Sequence, residues 1–170
     1  MAEITTNEEI ECPGGMPAFL AYPKAPGRHP VVVLMHERYG LVAHAKDLAR
    51  RCAADGYVVL APNFFFRHPD QRALNAGNVR YDMTDPESAA LLKSALAALR
   101  TMAFADMSKI AVAGYCQTGR HPIVFAAEER IQAVIVWYGA ASRRDVHGDR
   151  QSRVRPVQRS PPGAGHYRPR

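Results

Sequence analysis

The chain has 170 residues, 47% of them hydrophobic, and 22 Lys+Arg against 16 Asp+Glu give it a formal net charge of +6 at pH 7. That charge is local: Ser142 to Arg170 holds eight Arg, no Lys and two Asp, which supplies the whole excess and leaves 14 basic and 14 acidic residues from Met1 to Ala141. The body of the chain therefore has no basic surplus to offer a nucleic acid, its length suits one domain with a real core, and no apolar run approaches the roughly 20 residues needed to span a bilayer.

In chain order, Met1 to Glu11 carries four Glu and no long apolar stretch, so no signal peptide is expected. Ile10 to Tyr22, broken at Pro13-Gly14-Gly15, is predicted to form a hairpin with a Gly-rich turn. Val31 to His36 is a short, nearly continuous apolar strand, as expected where both faces are buried. Ala45, Leu48, Ala49, Cys52 and Ala53 recur at helical spacing, and Gly56 stands where a C-terminal cap belongs. Tyr57 to Ala61 is the next strand, stopped by Pro62. Asn63 to Thr84 is polar and irregular, a surface excursion or the rim of a site, with Phe64 to Phe66 expected to pack rather than line a pocket.

Asp85-Pro86 is a good helix start, with Asp as N-cap and Pro in the first turn, and Leu92, Leu96, Leu99 and Ala103 make one apolar stripe behind it. Ile110 to Ala113 and Ala133 to Trp137 are two further strands, and between them lie Cys116 and a helix-like segment, Ile123 to Arg130. The alternation implies a mostly parallel, doubly wound sheet.

The stretch Lys109 to Arg120 carries the most chemical information. An apolar, β-branched run ends at Gly114, Cys116 follows, and a helix comes next; strand, sharp turn and helix is how α/β-hydrolases hold a nucleophile clear of the sheet. Gly114 permits the tight turn, and a helix N-terminus beyond Cys116 would favour a thiolate. The other two cysteines, Cys12 and Cys52, are expected to be structural. The three are widely spaced with no C-x-x-C pair, which argues against a disulfide framework or a zinc site and fits a reducing cytosol.

Three segments together resemble the dienelactone hydrolases, the carboxymethylenebutenolidase-like α/β-hydrolases. They are His36-Glu-Arg-Tyr-Gly-Leu41, then Ala53-Ala-Asp-Gly-Tyr-Val-Val-Leu-Ala-Pro62 with Phe64 to Phe66, and Gly114-Tyr-Cys-Gln-Thr-Gly119. Their order and spacing match, and the resemblance covers Ile10 to Gly139. It implies an α/β-hydrolase-type three-layer sandwich with a mostly parallel sheet, missing its C-terminal strands. It also implies hydrolysis of small esters or lactones, with Cys116 as nucleophile and Glu37 beside it to accept the thiol proton. The backbone N–H groups of Gln117 and Arg38 would form the oxyanion hole. No metal or organic cofactor is implied, the partner is a small-molecule ester or lactone, and the expected location is cytoplasmic. Arg80 is a candidate for binding a substrate carboxylate, as an arginine does in the family, while His36 is expected to be a satisfied core or rim histidine rather than a base.

Two features depart from the family pattern. Thr118 stands where the turn usually has Gly, so its Cβ is expected to crowd the turn; Pro122 falls in the first helical turn and costs little. The second and larger departure is the absence, after Gly139, of the further strands that in the family deliver an Asp and then a His. Residues 1–141 are read as a partial hydrolase core, and residues 142–170 as an Arg/Pro/Gly-rich disordered tail, a candidate frameshift product. Translating the coding DNA in its other frames tests that idea. Asp145, Asp149 and His166 in that tail have no strand to fix them as triad members. A core ending at Ala133 to Trp137 would leave an uncovered sheet edge that predicts self-association. The alternative to an enzyme is a non-catalytic relic whose Arg-rich tail binds anionic partners such as RNA, with salt-sensitive affinity.

Overall fold

The computed structural model describes residues 5–139. Ser142 to Arg170, with the frameshift reading and the candidate triad residues placed there, lies outside them.

Strands β1 (Thr5–Cys12) and β2 (Met16–Pro23) form the expected hairpin, with β1 starting five residues earlier than Ile10. Then come β3 (His29–Leu34), α1 (Ala43–Ala54), β4 (Val58–Pro62), α2 (Gln71–Asn75) and α3 (Asp85–Arg100). The last elements are β5 (Ala105–Tyr115), α4 (His121–Glu128) and β6 (Ala133–Trp137). The six strands make one sheet in the order β1-β2-β4-β3-β5-β6, in which β1/β2 and β2/β4 are antiparallel and β4/β3, β3/β5 and β5/β6 are parallel.

The period-2 geometry of a strand explains the apolar runs. Val31 and Val33 join the buried cluster that also holds Leu92, Leu96, Leu99 and Phe125, whereas Val32 and Leu34 join the cluster with Ala49 and Ala53. Val58 and Leu60, and Val59 with Ala61, divide the same way. Each central strand is therefore buried on both faces, α1 covering one and α3 with α4 the other, which gives three layers.

Several local expectations are corrected. The cap of α3 is Thr84, whose side chain accepts the Glu87 N–H, and Asp85 is already inside the helix. Freed from capping, the Asp85 carboxylate pairs with the Arg120 guanidinium and lies 3.4 Å from His121 Nδ1, tying the start of α3 to the start of α4. These partners, His121 first, hold the Asp85 carboxyl below the usual range. Ala103 lies beyond the helix end and is exposed, so the stripe stops at Leu99. The irregular stretch contains α2 and buries Phe64, Phe65, Leu74 and Met83, so much of it is core rather than surface excursion.

Among the described residues β6 pairs only with β5, and its Val134 and Trp137 side chains are exposed. No helix among these residues is long and apolar enough to cross a membrane.

Candidate active site

The order of the strands decides where a site can lie. The chain runs from β3 to β4 on one side, then crosses to β5 and β6 on the other, so the switch point falls between β3 and β5. In open α/β sheets, ligands bind at the carboxyl ends of the strands beside such a point. Leu34 pairs with Ala113, and Ala113 with Ile135, all in parallel register. Three residues further along each strand stand Glu37, Cys116 and Tyr138, side by side at those carboxyl ends. A backbone bond from Met35 N to Ala113 O (2.8 Å) carries the pairing one residue past β3.

Cys116 has φ 55°, the left-handed region that side chains rarely adopt. It is half-buried and starts a single 3₁₀ turn, Cys116–Thr118; Gly119 and Arg120 keep right-handed helical angles and lead into α4. The helix proper thus begins at His121, with Pro122 in its first turn as expected. A Cβ on Gly114 would meet Thr118 O at 2.7 Å and the Pro122 ring at 2.9 Å, so the close turn needs glycine there.

Thr118 does not crowd this turn. Its side chain is fully buried, and Oγ1 donates to Tyr115 O (3.1 Å) and accepts from Tyr115 N (3.3 Å), closing the turn as a local cap. The place where no Cβ fits is one residue on, at Gly119, which lies against Gly139.

Beside the thiol, the Tyr138 hydroxyl donates to the Glu37 carboxylate. That bond, slight burial and the neighbouring charges of Glu37 and Cys116 push the Tyr138 phenol up to about 12. Tyr138 shares with Cys116 a positive φ, 39°. Tyr115, buried beneath, packs edge-on to Tyr138, Trp137 and His44. Its own phenol rises to about 12 through burial, then through Glu37 and Tyr138. The sequence reading missed Tyr138. The signal was the Trp137-Tyr138-Gly139 run after the fourth parallel strand, β6, which gains meaning only once the registers are known.

His36 is wholly buried. Its Nδ1 lies 2.8 Å from Glu37 O, and its Nε2 accepts the Phe64 N–H at 3.0 Å. With Nε2 an acceptor, Nδ1 carries the proton, and burial lowers the imidazole to about 4. It is the satisfied core histidine expected, bracing the start of the Glu37 loop against β4. Cys12 is buried and its thiol is pushed up to about 11 by burial, then by Glu11, as befits a structural cysteine. Arg80 is largely exposed, with Nη2 3.8 Å from Asp82 Oδ1. The Arg38 guanidinium donates to Gly77 O (2.7 Å), and the Gln117 amide donates to Tyr81 O (2.5 Å) and Asp82 Oδ1 (3.3 Å). Gln117 N lies within the single 3₁₀ turn Cys116–Thr118, ahead of α4.

A mostly parallel sheet with helices on both faces, and a strained residue on a strand–turn–helix at the carboxyl end of a central strand, define the α/β-hydrolase class. Within that class the chain belongs to the dienelactone hydrolase family, whose profile matches residues 16–159. The match runs past Gly139, the last residue of the segment that carries the sequence resemblance. A Methylorubrum extorquens protein named "Putative carboxymethylenebutenolidase" is 30% identical over 140 residues, 77% of this chain and 48% of its own length. One of the same name from Escherichia coli K12 is 32% identical over 132 residues, 73% of this chain and 48% of its own. The chain thus spans about half the length of the curated relatives it matches. The crystal structure of a "Putative Dienelactone Hydrolase" from Klebsiella pneumoniae superposes with a TM-score of 0.71 at 28% identity, covering 85% of this chain and 64% of that one.

Proposed function

We propose that the chain carries the acylating half-site of a hydrolase of small esters or lactones. Cys116 Sγ attacks the substrate carbonyl, its proton passes to the Glu37 carboxylate, and the backbone N–H groups of Gln117 and Arg38 hold the oxygen that becomes negative. Collapse of the tetrahedral adduct expels the alkoxide, which takes up a proton, and leaves a thioester on Cys116. A thiol near pKa 8.5 is mostly protonated at neutral pH and needs a neighbouring base to attack an ester. Each preorganised N–H is worth roughly 2.7–4 kcal/mol in the transition state. Tyr138 keeps the Glu37 carboxylate at the mouth of the turn until substrate arrives.

The observation that carries this reading is the left-handed Cys116 at the end of β5, level with Glu37 and Tyr138 at the ends of the two flanking strands. Backbone strain of this kind is kept where the surroundings over-determine it, most often at reactive positions. Family membership also favours the hydrolase reading over a relic acting through its basic tail, a reading that rests on residues outside those described.

Peptide mapping by mass spectrometry after brief exposure to an activated aryl ester tests the assignment. The acyl mass is expected on the peptide containing Cys116, and Glu37→Gln slows its appearance by about 100-fold or more, the lower end of the range for a positioned base. Labelling of Cys52 instead would refute the assignment.

A further inference from the structure

The two residues assigned to the oxyanion hole share a second property that nothing in that assignment requires. Their side chains grip the same loop. Arg38, after β3, donates to Gly77 O at 2.7 Å; Gln117, after β5, donates to Tyr81 O at 2.5 Å and to Asp82 Oδ1 at 3.3 Å. Both Gln117 acceptors face the amide nitrogen, which fixes the flip of the amide and leaves Oε1 buried without a partner. A buried acceptor left unpaired is unfavourable, so the orientation is imposed by the loop.

The loop itself is firmly seated. The Tyr81 hydroxyl donates to Glu87 on α3, and its ring packs 5.1 Å from buried Phe65. At the other end Gly77 has φ +76°, and a Cβ there would lie 2.7 Å from Tyr39 Cε1 and 3.1 Å from Arg38 Nη2. The backbone at Gly77 therefore lies against the Tyr39 ring and the Arg38 guanidinium, in a left-handed conformation that favours glycine.

We propose that the segment Gly77 to Asp82 is a splint that sets the spacing of the two oxyanion donors, with the side chains of Arg38 and Gln117 as positioning residues; this rests on the oxyanion hole proposed above. The donors sit on separate loops at the ends of β3 and β5, and each must end about 2.7–3.1 Å from one oxygen atom. Bonds to a common, anchored loop remove the relative motion that would spoil that geometry. A misplacement of about 1 Å is enough to cost roughly 10²-fold.

The test compares two reactions of the same thiol in wild type, Gln117→Leu, Arg38→Met and Gly77→Ala. Acylation by an activated aryl ester builds negative charge on a carbonyl oxygen and needs the donors. Alkylation by iodoacetamide breaks a carbon–iodine bond, releases iodide and needs only the thiolate. The expected result is acylation slowed by roughly 10- to 100-fold in all three variants, with alkylation within about twofold of wild type. Arg38→Lys, which can still donate to Gly77 O, is expected to recover part of the loss. Unchanged acylation in the variants would overturn the splint, as would acylation and alkylation falling together, which would point to a disturbed turn. A wild-type chain that is alkylated but never acylated would overturn the oxyanion hole itself, and the splint with it.

Discussion

Gly119, just past the Cys116 turn, and Gly139, just past β6, meet backbone to backbone. A Cβ built on Gly119 would lie 2.5 Å from Gly139 Cα, and one on Gly139 would lie 2.6 Å from Gly119 Cα. This approach seats the turn against the neighbouring strand and brings Tyr138 up beside Cys116. The obstructing atoms are backbone, which cannot swing aside as a side chain would. Gly119→Ala is accordingly expected to destabilise the fold by about 1–3 kcal/mol, the range for overpacking, read as a lower urea midpoint. A midpoint equal to wild type would show that the two backbones do not meet.

Cys116 bears strain that glycine would not. Left-handed backbone costs a residue with a Cβ about 1–2 kcal/mol, and glycine's greater freedom in the unfolded chain offsets part of the relief. Cys116→Gly is expected to be more stable than Cys116→Ala by about 0.5–1 kcal/mol, measured by urea denaturation of the two variants side by side. If Ala were the more stable, the turn would not be left-handed at this position.

The buried His36 makes stability fall in mild acid. Its imidazole titrates at about 4 when folded, against 6.5 for an unperturbed group. Between those values the unfolded chain binds more protons, so the contribution is complete above pH 6.5 and is lost as pH falls toward 4. From pH 7 to pH 5 the loss is about 2 kcal/mol, at 1.36 kcal/mol per unit. Asp85, held below the usual carboxylate range, adds its own loss only below about pH 4. Urea unfolding at the two pH values is expected to show this slope in wild type and a flatter one in His36→Gln. A wild-type slope near zero would mean that the ring is not held neutral.

What the sequence reveals here is governed by how local each signal is. The Pro13-Gly14-Gly15 turn and the two-sided apolar strands are short-range patterns, and the structure follows them. Cys116 could be singled out because it stands just past a strand-like run that ends at Gly114, and Glu37 through the family resemblance of the segment after Val31 to His36. Tyr138 could not, since a tyrosine after an apolar segment acquires a role only when β3, β5 and β6 are set side by side in register. The cap of α3 was misread for a different reason: Thr84 and Asp85 are both good capping residues, and Pro86 fits the first turn with either. Only the pairing of Asp85 with Arg120, 35 residues away, shows which one the fold uses otherwise. The grip of Arg38 and Gln117 on one loop is equally invisible without the fold, because Gly77 and Tyr81 carry no sequence mark of it.

The decisive measurement is the pre-steady-state reaction of the chain with an activated aryl ester, followed by phenolate release. A burst of about one phenolate per chain, the signature of an acyl-enzyme, is expected in wild type, with no burst in Cys116→Ala. A burst of the same size in Cys116→Ala, or none in wild type, would contradict acylation at Cys116.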